Sequence, residues 1–226
     1  MLEISINNEW RTEHPGARIG FLEISGAVKT VSSLGLDEQK RAVETRLRTQ
    51  FQGFTRQDFL ALPVFAAYDR YYKQFNKTYH VLLQLESIVL KGKELPNVLP
   101  LVDVNFMTEV ETFVLTAGHD VERLNLPVWI DVSRDGEQQT LMNGTEKAIR
   151  AGDMVMRDSQ GISCSIIYGQ DHRSPISALT SHVLYVAYAP AGVPAEAVKA
   201  QLSGIEAYIR LFSPAAVTEQ VRLLLA

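Results

Sequence analysis

Apolar residues change their spacing twice along this chain, and each change confines what it can fold into. Up to about residue 94 the spacing is mostly helical. Residues 37–51 carry Ala42, Val43, Leu47 and Phe51 at near-helical intervals, with Asp37 placed to cap the first turn. Residues 59–75 are aromatic-rich and helical on either side of Pro63, and Leu82, Leu85, Val89 and Leu90 make a further stripe that Gly92 ends. Two strands precede these helices. Leu2, Ile4 and Ile6 alternate with polar residues, Pro15-Gly16 breaks the chain, and residues 19–28 read as the second strand. After Asp120 the texture becomes short β-rich runs at residues 128–132, 139–142, 154–156, 162–167 and 183–188. Asp135-Gly136, Asn143-Gly144 and Gln160-Gly161 separate them, and Asn143-Gly144 is the strongest hairpin signal. From Pro194 a helical face returns at Val198, Leu202, Ile205, Ile209 and Phe212, and Ser213-Pro214 is expected to open a last helix through Val217, Val221 and Leu224. The pattern predicts one α+β domain over residues 1–226, with a mixed sheet between residues 100 and 190 and helices before and after it.

Composition works mainly by exclusion. A single cysteine, Cys164, rules out an intramolecular disulfide and any multi-thiolate metal site, and its place between Ser163 and Ser165 in an expected buried strand suits a core position. The five histidines lack metal-ligand spacing and no glycine-rich phosphate loop occurs, so neither a metal nor another cofactor is expected. No apolar run nears the ~20 residues of a spanning helix, so the expectation is a soluble, cytoplasmic chain with no membrane partner.

The net charge of −4 argues against a strongly basic, non-specific nucleic-acid binder. Locally the balance differs. Residues 37–77 hold eight basic side chains against five acids, an excess of three positive charges. Arg41, Arg46, Arg48, Arg70 and Lys73 are the candidate phosphate contacts there, with solvated helix faces as the alternative. The aromatics Phe65, Tyr68, Tyr71, Tyr72 and Phe75 offer either a stacking platform for unpaired bases or a core stripe at spacings of three and four.

Two segments carry a family resemblance, residues 95–120 (LPNVLPLVDVNFMTEVETFVLTAGHD) and residues 163–189 (SCSIIYGQDHRSPISALTSHVLYVAYA). Together they resemble the B3/B4 tRNA-binding (editing) domain of the phenylalanyl-tRNA synthetase beta subunit, and more closely the free-standing version of that domain. Val102-Asp103-Val104, Glu111, Asp120 and Leu124 match the motif at fixed offsets without a gap. The resemblance implies a B3/B4-type fold strongest over residues 95–190, with N-terminal strands and helices in 1–94 and C-terminal helices in 194–226. It also implies a helix before residue 92 that leads into a strand-like segment at 95–103.

The functions implied are recognition of tRNA or aminoacyl-tRNA without a synthetase active site, or trans-editing by a free-standing deacylase that hydrolyses mischarged aminoacyl-tRNA. A third possibility is a small-molecule or protein-interaction module that keeps the fold and changes the ligand. The candidate substrate-binding residues are Asn105, Glu111, His172 and Arg173, and His119 with Asp120 is the candidate catalytic pair. All six are expected to converge on one cleft. His119 and Asp120 have an alternative use as caps of a turn and a short helix, and residues 171–173 as a solvated loop. The chain departs from the motif at Asn105, Phe106, Ala117 and Val186, where the family has Thr, Asn, His and Glu. With Phe106 and Val186 apolar, a tyrosine hydroxyl would be buried without a partner, so little or no hydrolysis of mischarged Tyr-tRNA is expected.

Overall fold

The computed structural model describes residues 1–28, 30 and 32–226. The chain is α+β. In order it forms β1 (Ile4–Ile6), α1 (Asn8–Glu13), β2 (Arg18–Ser25), α2 (Leu34–Gln50), α3 (Arg56–Ala61), α4 (Pro63–Gln74), α5 (His80–Val89) and α6 (Pro100–Thr112). Then follow β3 (Thr116–Asp120), β4 (Val128–Val132), β5 (Gln138–Thr140), β6 (Glu146–Ala148), β7 (Met154–Asp158), β8 (Gly161–Ser165), β9 (Gly169–Gln170) and β10 (Val183–Ala189). The chain closes with α7 (Ala195–Phe212) and β11 (Val217–Leu225).

A five-stranded sheet runs β1-β4-β7-β8-β9, mixed because β1 lies parallel to β4 while the others are antiparallel. A four-stranded antiparallel sheet runs β11-β2-β10-β3, and β5 with β6 makes the hairpin expected around Asn143-Gly144. Sheet formation therefore reaches beyond residues 100–190, because β1, β2 and β11 come from the two ends of the chain. All seven residues of β10 are buried, as a central strand covered on both faces requires.

Three local expectations are corrected. The segment after Ser213-Pro214 is strand β11 and not a helix, paired along β2 from Val217 to Leu225 with a register shift between Thr218 and Gln220. Val217, Val221 and Leu224 fit a helical period, but the open edge of β2 offers a full ladder of backbone partners, and the β-branched Val217, Thr218 and Val221 suit it. The segment expected to be strand-like becomes irregular chain and then α6, which Pro100 opens at a first-turn position where its missing N–H costs nothing. Helix α2 begins three residues before Asp37, capped by the Ser33 hydroxyl, which accepts from the Leu36 N–H.

The aromatic run of α4 is core. Tyr68 donates to the Tyr188 carbonyl and accepts from the Leu115 N–H at 2.9 Å, Tyr71 donates to Asp153 at 2.7 Å, and Tyr72 donates to the Ile166 carbonyl at 2.7 Å. Their rings are buried and their hydroxyls tie α4 to strands of both large sheets, so none is free to stack on a base. One continuous core cluster reaches from Leu2 to Ala216.

Candidate functional site: a cavity between α6, β3 and the β8–β9 turn

A cavity of about 290 Å³ lies between α6, β3 and the turn joining β8 to β9. Helix α6 presents Val102, Asn105, Phe106 and Glu109, four positions that share one face at helical spacing. Leu115 to Gly118 form a second wall, Cys164, Ser165, Ile166, Gly169 and Gln170 a third, and Ile176 and Tyr188 close the floor. His80 and Met142, both exposed, stand at the mouth. Gly118 permits this packing, since a Cβ there would meet Ile176 at 2.6 Å and the Tyr185 ring at 3.2 Å.

The centre of the site is Glu109. Its side chain is only 2% exposed, and Oε1 accepts from the Thr116 N–H at 2.8 Å and from Asn105 Nδ2 at 3.5 Å. Burial pushes its carboxyl up to about 8, against the pull of the Thr116 and Asn105 hydrogen bonds. Asn105 is itself fixed: Nδ2 donates to the Thr116 carbonyl at 2.7 Å and Oδ1 accepts from Gln201 at 3.4 Å. Phe113 ends α6 in the left-handed region at φ 65°, which turns the chain so that β3 runs back beside the helix and brings Thr116 to Glu109. The Tyr188 hydroxyl, fully buried, has no oxygen or nitrogen partner among the described residues and lies against the Cys164 thiol. Cys164 is a buried thiol pushed up to about 12 by burial, hence an unreactive wall rather than a nucleophile.

The residues singled out in the sequence are spread over several environments. Asn105 lines the cavity. Glu111, two residues beyond Glu109 on α6, points away from it, pairing with Arg46 and accepting from the Tyr208 hydroxyl at 2.8 Å. His119 is fully buried in β3; Nδ1 accepts from Gln170 Nε2 at 3.0 Å and lies 2.9 Å from the Ser174 hydroxyl. Burial holds its imidazole down near 3, so it stays neutral. Asp120 caps the short 3-10 turn Val121–Arg123 through the Glu122 N–H and accepts from Thr180 at 2.6 Å. His172 and Arg173 line a separate shallow recess with Arg123 and Asn125, where Arg173 is held by Asp171 and, at 2.7 Å, by Asp158. The expected single cleft is therefore not formed, because strand alternation and α6 periodicity send these side chains to different faces.

Among the candidate phosphate contacts, Arg41 pairs with Glu44 and Glu94, Arg46 with Glu111, and Lys73 with Asp69. Arg48 pairs loosely with Glu44 and donates to the carbonyls of Ile88, Gly92 and Lys93, tying α2 to the end of α5. Arg70 lies against the Gly192 backbone. Of the three apolar departures from the motif, Phe106 and Ala117 are in the cavity wall, whereas Val186 is buried in β10 outside it.

Sequence reasoning missed Glu109 and Tyr188. The signal for Glu109 was the Asn105–Glu109 spacing of four, which puts the two on one helix face once residues 100–112 are known to be helical.

No protein-family profile matches the chain, and no curated protein sequence matches it. A solved structure that is similar is an N-terminal fragment of the phenylalanyl-tRNA synthetase beta subunit from Pyrococcus horikoshii, aligned over 97% of this chain at 8% identity with a TM-score of 0.49. This chain spans 54% of that fragment. No helix among the described residues is long and apolar enough to cross a membrane.

Proposed function

We propose that this chain is a recognition module for aminoacyl-tRNA, in which the cavity between α6, β3 and the β8–β9 turn receives the aminoacyl group. One observation carries the reading. The two sequence segments that resemble the B3/B4 domain, residues 95–120 and 163–189, are distant in sequence yet supply all of the cavity-lining residues but His80 and Met142. The chemistry of the walls agrees with it: an apolar enclosure with a few convergent polar groups is the usual form of a small-ligand site, and a volume of about 290 Å³ suits an amino-acid side chain with its reacting end. Binding rather than hydrolysis is favoured, because His119 does not line the cavity and is neutral, fully buried and engaged by Gln170 and Ser174.

Filter binding of a panel of aminoacylated tRNAs, each compared with its uncharged form, tests the proposal. Tighter binding of at least one charged form is expected, and it should vanish in Ala117→Phe, which fills the cavity. Equal binding of charged and uncharged tRNA across the panel would refute it. Robust deacylation of one of these species that is abolished by His119→Ala would instead establish the editing enzyme.

A further inference from the structure

Buried carboxyl groups in this protein have their charge matched, with few exceptions. Asp103 is met by Lys40 at 2.6 Å, Asp131 by Arg157 at 2.8 Å, and Asp158 by Arg173 at 2.7 Å. Asp153 has no basic partner, but both its oxygens are occupied by Tyr71, Ser165 and the Ile167 N–H. Glu109 is different. Both of its hydrogen bonds fall on Oε1, and Oε2 takes none among the described residues, although the residue is 98% removed from solvent and lines the cavity. A buried carboxyl without a cation is costly, and one left half-unbonded on a cavity wall is placed for a ligand.

The Tyr188 hydroxyl is a second polar atom on the same cavity, with only the weakly bonding Cys164 thiol beside it. No lysine or arginine lines the cavity among the described residues. The walls thus offer one anion-forming group and neutral polar atoms, and a carboxylate or phosphate entering them would meet no cation.

We propose that the cavity reads a primary amine, with Glu109 Oε2 as the partner of the ligand's ammonium group and the Tyr188 hydroxyl as a second contact, and that it discriminates against ligands bearing a free carboxylate. Resting on the aminoacyl reading above, this inference adds the feature recognised: the α-amino group of an amino acid whose carboxyl is already esterified or amidated. A free amino acid would bring its carboxylate next to Glu109, where no cation meets it and where its charge would hold the Glu109 carboxyl in the neutral form, so that the ammonium group loses its ionic partner. An aminoacyl ester presents a neutral carbonyl at that place instead.

The experiment is calorimetric titration of the whole chain with three matched probes for each of two side chains, phenylalanine and leucine. The probes are the amino-acid amide, the corresponding α-hydroxy amide and the free amino acid. The amine-bearing amide is expected to bind about tenfold or more tighter than either of the other two, the range that one charge-assisted hydrogen bond supplies. In Glu109→Gln, which keeps an acceptor for the Thr116 N–H, the amine and hydroxy amides should bind alike, and the hydroxy amide should keep its wild-type affinity. Tyr188→Phe should weaken the amide by a smaller factor without making the two alike. If the wild-type chain binds amine and hydroxy amides equally, the amine inference fails while the aminoacyl cavity stands. If no amide of either side chain binds, the aminoacyl reading falls and the inference with it. A Glu109→Gln protein that retains full preference for the amine also overturns the assignment, and an unchanged thermal melting profile separates a lost preference from a lost fold.

Discussion

At the scale of single residues, Glu109 couples the cavity to pH. Its folded carboxyl sits near 8, whereas an unfolded chain releases the same proton near the ordinary 4.5. Between these values the folded state holds the proton and the unfolded state does not. The stability contributed by this group is therefore fully present below about pH 4.5 and is lost as pH rises through about 8. Glu109→Gln cannot ionise and keeps the Thr116 hydrogen bond. It is expected to be more stable than the parent at pH 8.5 by on the order of a few kcal/mol, and near-equal to it at pH 5. Asp153, pushed up to about 7 by burial, slopes the same way, so part of the alkaline decline should survive in the variant. Urea midpoints measured from pH 5 to 9 decide the matter; parallel curves for the two proteins would contradict the assignment.

Among elements, α6 is positioned by what holds its first turn. Lys40, 1% exposed on α2, donates to Asp103 at 2.6 Å and also to Asn97 and the Pro96 carbonyl, while Asp103 accepts the Val98 N–H at 2.9 Å. This cluster orients residues 95–98 and the helix whose opposite end carries Glu109. Lys40→Met leaves Asp103 buried without its cation and should destabilise the fold by about 3–5 kcal/mol, whereas replacing both partners with apolar residues of similar size should recover much of the loss. Denaturant unfolding of the single and double variants checks this, and a single variant within about 0.5 kcal/mol of the parent would show that the pair has little weight.

For the whole molecule the question is how a chain of net charge −4 would meet RNA. Four of the five basic side chains singled out around α2 and α4 are engaged in ion pairs, and Arg48 also bonds backbone carbonyls, so each must leave a partner before it can contact a phosphate. Binding of tRNA is expected to weaken with salt, with a slope near one or two in log–log form. Five free contacts would give roughly four, at about 0.7–0.9 per contact. Affinities measured over a range of salt concentrations would show it. A slope near four would mean that the ion pairs open at little cost, and no salt dependence would place any RNA contact outside electrostatics.

Much of this architecture was legible in the residues because it rests on local physics. Turn chemistry at Asn143-Gly144 set a hairpin, helical spacing set α4, α5 and α7, and the near-absence of polar residues in 183–189 marked a strand buried on both faces. The two segments that wall the cavity were also visible as a pair. What the residues alone left open were choices between partners distant in sequence. Val217–Leu225 is compatible with either period, and the unpaired edge of β2 made it a strand. Glu109 and Glu111 are near-equivalent as letters, two positions apart. Only the packing of α6 against β3 turned one of them to a salt bridge with Arg46 and enclosed the other, half-bonded, in the cavity. Hydrogen-bond propensity and periodicity act over a few residues, whereas desolvation and charge pairing depend on which surfaces meet, and those are set by the tertiary structure.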